Sequence, residues 1–143
     1  MPVSKAVPGF GCVLAIGDGD SNQSFTDLAE ILGVPGVGIT HRSSEVTHMT
    51  SPGGWAEYIG LGVKEGKAFT LPLNFVADDA QQISLKDRVI DGSKNDYRVK
   101  FTDDGDSSLT FGAIITDLNL DHDRDSQAQA SITFQPTGAH AWA

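Results

Sequence analysis

The stretch VTHMTSPGGWAEYIGLGVKEGKAFTLPLNFV, Val46 to Val76, decides how the rest of this chain is read. A polar segment runs into Ser51-Pro52-Gly53-Gly54, then Trp55, Ala56, Glu57 and Tyr58. It holds no nucleophile on a Gly-flanked elbow, no metal-ligand spacing and no phosphate loop. Trp55 to Val63 and Ala68 to Val76 have the aromatic and β-branched character of strands. Val63 to Lys67 is expected to turn between them, with Gly66 at a positive φ. Upstream, residues 40–54 are polar and end in Pro-Gly-Gly, which predicts a long polar loop. Loops of that length inside a compact domain are usually functional or disordered.

Outward from this stretch, most of the chain reads as strand. Cys12 to Ile16 is a short apolar run closed by GDGDSN. Phe25, Leu28, Ala29 and Leu32 stand at helical spacing, yet a strand buried on both faces would look the same. Residues 79–91 predict a helix: Asp78 or Asp79 can cap it and Gly92 can end it. Ala80, Ile83 and Ile90 share one face of that helix, and Leu85 and Val89 another. Tyr97, Val99 and Phe101 alternate with polar residues, DDGD (Asp103 to Asp106) makes a hairpin turn, and SLTFGAIITDLNL is a long strand. DHDRDS turns it and AQASITFQP returns. Residues 1–11, rich in Gly and Pro, read as an N-terminal arm on a single domain spanning 1–143.

The 143 residues suit one domain, and an apolar fraction of 39% supports a real core. Nineteen acidic against ten basic residues leave a net charge of -9, which repels nucleic acid and anionic membranes. A groove that binds DNA tightly is therefore not expected, whereas a wall that DNA passes without sticking is compatible with this charge. The single cysteine, Cys12, permits no intrachain disulfide. No leader pattern opens the sequence and no apolar run is long enough to span a bilayer, so a soluble chain without membrane anchoring is expected.

Motifs with chemistry fall short. Asp121, Asp123 and Asp125 have the spacing of a calcium loop, but Ser126 replaces its glycine and no glutamate closes it. Asp18, Asp20 and Asn22 fail likewise. His41, Glu45 and His48 match no metal-ligand spacing. There is no GxSxG, and Cys12 lies in an apolar run where a thiol is inert. No cofactor and no enzymatic activity are expected. Trp55 and Tyr58 suit a core or an interface equally.

Taken in order, the segments resemble the tail tube proteins of long-tailed phages. Val46 to Val76 is similar to that family's Thr-rich stretch, Ser-Pro-Gly-Gly, aromatic-acid-aromatic run and Asn-Phe strand end. FTDLAEILGVPG (Phe25 to Gly36) is similar to the preceding strand, and YRVKFTDDG, LTFGAIITDLNLD and SITFQPTG to the closing strands. The turn reads GLGVKEG here, where the family often has Leu-Lys-Asp-Gly. The resemblance implies a mainly β fold, a small β-sandwich or barrel with one flanking helix at about 79–91 and a long polar loop at about 40–54. It also resolves Phe25 to Leu32 towards strand.

It further implies a structural virion protein of the phage tail, assembled in the host cytoplasm. Six copies would form a ring, and stacked rings a tube for DNA. Tape-measure and tail-tip or terminator proteins would be partners, and DNA would pass without specific binding. Thr47, Ser51, Pro52, Gly53, Gly54, Trp55, Glu57 and Tyr58 are the expected subunit-interface residues. Pro52 to Gly54 would be the hinge of an arm laid on a neighbour. Two other readings stand beside this one: a tube of the haemolysin-coregulated, type VI secretion kind, and a monomeric β-sandwich that binds carbohydrate or calcium. The Ser-Pro-Gly-Gly-Trp segment favours the phage tube.

Overall fold

A computed structural model describes residues 3–4, 6, 8–18, 24–102, 105, 107–122 and 124–142. Among these residues, eight strands and one α-helix follow in order: β1 Val13–Gly17, β2 Phe25–Asp27, β3 Ile39–Glu45, β4 Tyr58–Gly66, β5 Phe69–Asn74, α1 Ala80–Asp91, β6 Lys94–Lys100, β7 Ser108–Asp121 and β8 Gln129–Trp142. Six strands form one antiparallel sheet in the order β2-β1-β6-β7-β8-β5, and β3 and β4 pair separately.

The sheet curls around its apolar face. Chain following β2 reaches the far edge, where Ile31 bridges Leu73, Leu32 N–H donates to Pro72 O, and Asn74 N–H donates to Glu30 O. β2 and β5 themselves stay unpaired with each other, so the fold is not the closed barrel that was one of the two expectations. Phe69 stacks on Phe134 with centroids 5.0 Å apart, and Tyr97 meets Phe134 edge-on at 5.0 Å. Leu14, Leu71, Leu109, Phe111 and Ile132 fill the space around these rings. Burial of such side chains from water is the main favourable term in folding.

Helix α1 forms where its caps predict. The Asp79 side chain accepts from Gln82 N–H at 3.2 Å, and Gly92 ends the helix at φ 70 with its N–H donating to Arg88 O. Leu85 is fully buried, while Ile83 and Ile90 are exposed. The sheet has thus claimed the Leu85 face of the two apolar faces. Gln82 is a buried clasp: its Nε2 donates to Asn74 O at 2.9 Å and its Oε1 accepts from Val76 N–H at 2.9 Å. Arg88 donates to Gly17 O and lies 5.5 Å from the Tyr97 ring centroid. Burial pushes the Tyr97 phenol up, with Arg88 pulling the other way.

Several sequence expectations need correction. Residues 40–54 are not one loop, because Ile39–Glu45 is strand β3. It was hidden because nearly all its side chains face water, so it needs no apolar alternation. The strand expected from Trp55 starts at Tyr58. No β4–β5 hairpin forms: β4 continues to Gly66 and pairs with β3, while β5 pairs with β8. The positive φ falls at Gly62 rather than Gly66. Of Phe25 to Leu32, only Phe25–Asp27 is strand, and a turn with Glu30 at φ 67 follows. The DDGD and DHDRDS turns fall partly on Asp103, Asp104, Asp106 and Asp123, outside the described residues.

Candidate subunit interface

β3 and β4 form a two-stranded arm, paired from Ile39↔Gly66 to Glu45↔Tyr58. Almost every side chain on it faces water. The register slips between His41 and Ser43, and β4 reaches φ 81 at Gly62 there. This is a bulge, which bends and twists a ribbon locally. The His41 ring fills the gap: Nε2 accepts from Gly62 N–H at 3.3 Å, and a Cβ on Gly60 would stand 2.9 Å from it. Arg42 pairs with Glu65 at 3.3 Å across the ribbon.

The tip of the arm is tied by its own polar groups. Val46 N–H donates to Glu57 O at 2.8 Å, and Glu57 N–H to Thr47 Oγ1 at 2.8 Å. Ser51 Oγ accepts from His48 N–H at 2.9 Å and donates to Glu57 Oε2 at 2.7 Å, a charge-assisted bond. His48 Nδ1 accepts from Thr50 N–H at 3.3 Å, which leaves Nε2 to carry the proton 3.6 Å from the Glu57 carboxylate. These bonds leave Ser51 only 8% exposed at the end of a solvated ribbon. Pro52–Gly54 is a 3-10 turn with Gly53 at φ 64 and Gly54 at φ 73, a conformation that favours glycine. The Trp55 ring lies on Gly53, where a Cβ would come within 2.9 Å of Cδ1.

All eight expected interface residues therefore gather at one place. Thr47, Ser51 and Glu57 tie the tip, Pro52, Gly53 and Gly54 turn it, and Trp55 and Tyr58 project from it. Pro52 to Gly54 is the far end of the arm, not its hinge; the arm leaves the body at Ile39 and Gly66. Trp55 is 78% exposed and so is not a core residue. Met49, fully exposed, and the half-exposed Ile59, Leu61 and Val63 lie on the same arm and were not among the expected residues. Ile59, Leu61 and Val63 have the alternate spacing of one strand face, which fitted the strand reading of this stretch.

At the root, Gly66 is buried against β8, between Pro136 and His140. The His140 ring stacks on Phe111 at 5.2 Å. Burial pushes its pKa down, while a Gly138 backbone bond opposes the shift.

Among the described residues, no group of three His, Cys, Asp or Glu is arranged to hold a metal ion. His41, Glu45 and His48 are spread along the arm. Cys12 is half-buried, and burial raises its thiol pKa. Among the described residues, no helix is long and apolar enough to cross a membrane.

A family model described as phage tail tube protein matches residues 6–141. Among curated proteins no match was found. The tail of an empty gene transfer agent particle, refined with C6 symmetry, has a similar fold at TM-score 0.82 and 19% identity, over 96% of this chain and 99% of that one. The SPP1 tail tube follows at 0.72 and 16% identity, over 94% of this chain and 78% of that one. A type VI secretion system effector from Yersinia pestis reaches 0.50 at 12% identity, over 92% and 96%.

Proposed function

This chain belongs to the phage tail tube protein family, and on that premise we propose that six copies close into a ring and that rings stack into the tube of a virion tail. Its role is structural rather than catalytic. The family match over residues 6–141 carries this reading. The C6 symmetry of the gene transfer agent tail supports the number six.

A tube of identical subunits needs two heterologous contacts. One closes on itself into a ring, and the other repeats without closing into a filament. The solvated ribbon of β3 and β4 suits such contacts, since it offers exposed apolar side chains and a preordered tip at little cost in ordering entropy. Thr47, Ser51, Pro52, Gly53, Gly54, Trp55, Glu57 and Tyr58 belong to the subunit interface in this reading, the tied residues by holding Trp55 and Tyr58 outward. The chain acts as one domain, 1–143, with residues 1–11 as an arm. Tape-measure and tail-tip or terminator proteins are its further partners. A net charge of -9 per copy keeps passing DNA from adhering.

The secretion-tube alternative has weaker support, with a TM-score of 0.50 against 0.82. Electron microscopy of the concentrated chain tests the proposal: rings of six or tubes support it, and rings of another number refute it.

A further inference from the structure

A second apolar feature lies at the other end of the body from the arm root. α1 and the ends of β5, β7 and β8 enclose a pocket of about 180 Å³, walled chiefly by Leu73, Phe75, Ile83, Leu118, Leu120 and Ala130. Ile83 and Leu120 remain 39% and 46% exposed at its mouth, and Lys86 stands on its rim. A dry cavity of about 150 Å³ is large enough to hold benzene. This pocket has room for one large apolar side chain, and the described residues leave it open.

The structure also offers a group of that kind. Met49 and Trp55 are largely exposed and project from a tip tied by hydrogen bonds among Thr47, Ser51 and Glu57. β5 runs from the arm root beside Phe69 to the pocket at Leu73, about 13 Å at strand rise. The arm that carries the projection and the recess thus sit at opposite ends of one strand. On identical subunits, that arrangement makes a head-to-tail contact. Charge agrees: Glu45 near the tip and Lys86 on the rim form no ion pair among the described residues.

We propose that the pocket beneath α1 receives the arm tip of a neighbouring copy, with Trp55 seated between Ile83 and Leu120, Met49 against Ile83 at the mouth and Glu45 reaching Lys86. This rests on the tube reading and adds to it the receiving surface. An anchoring tryptophan entering a preformed recess is the kind of residue that dominates interface energetics.

The test pairs two single-cysteine chains in a Cys12→Ala background, one Met49→Cys and the other Ile83→Cys, each checked by melting. Under mild oxidation of the mixed assembly, a disulfide-linked dimer absent from either chain alone is expected. Lys86→Glu is expected to raise the concentration needed for assembly several-fold, and Glu45→Lys in the same chain to reverse that. Tubes that form without the mixed dimer and without charge rescue overturn the docking proposal alone. Chains that stay monomeric at every concentration overturn it together with the tube reading.

Discussion

Gly66 and His140 are packed so closely that a Cβ on Gly66 would lie 2.9 Å from His140 Nε2, and 2.6 Å from Cβ of Pro136 as well. This is where the arm is fixed to the body. Gly66→Ala forces the ring or the strand to move, an overpacking that costs about 1–3 kcal/mol. At this size, melting should fall by roughly 3–10 °C. His140→Ala added to Gly66→Ala should recover part of the loss, because it removes one of the two obstacles and leaves Pro136. A double variant that melts lower than the single by the full cost of His140→Ala contradicts the contact.

The same histidine sets a pH dependence. Its Nε2 is buried without a hydrogen-bond partner, and burial depresses its pKa below the ordinary imidazole value. Between the two values the unfolded chain binds a proton that the folded chain does not. Stability from this group is therefore complete above about pH 6.5 and is lost as pH falls towards the depressed value. Melting followed from about pH 7.5 to about pH 5, the range in which an imidazole titrates, should fall less steeply for His140→Gln. Equal slopes would show that the ring is not desolvated in the fold.

Ser51→Ala removes the donor to Glu57 and the acceptor of His48 N–H. The tip should loosen while the body does not. Hydrogen exchange is expected to speed up at His48 and Glu57, with core amides unchanged and global stability altered by less than about 1 kcal/mol. Uniformly faster exchange across the chain would show that the tip and the core unfold together.

Phe134→Ala opens the centre of the core, where that ring meets both Phe69 and Tyr97. A loss of about 3–5 kcal/mol is expected in denaturant unfolding. A loss below about 1 kcal/mol would mean that the aromatic cluster is not where the fold gains its stability.

Trp55→Ala provides the contrast. The ring is 78% exposed, so stability should change by less than about 0.5 kcal/mol. Assembly should fail at concentrations where the unchanged chain forms tubes. Melting that drops as far as in Phe134→Ala would place Trp55 in the fold rather than at a contact.

What the sequence made legible was whatever the core demanded. Helix α1 was readable from Asp79 and Gly92, and β7 and β8 from apolar runs between turns. Strand β3 of the arm was not readable, because a ribbon solvated on both faces has no burial pattern: Thr40 to Ser44 are strand through backbone pairing alone. The partner of β4 was misread for a related reason. Lys64, Glu65, Gly66 and Lys67 look like a hairpin turn, but the tight fit of Gly66 against His140 is a long-range contact that local turn chemistry does not report. The gathering of Thr47, Ser51 and Glu57 could be expected only from resemblance, since their bonds join residues up to ten apart in an irregular segment.

Electron microscopy of the concentrated, purified chain tests the central claim most directly. End-on views should show rings of six subunits, and side views tubes built by stacking them. Rings of another number, closed dimers, or monomers at every concentration would contradict the account.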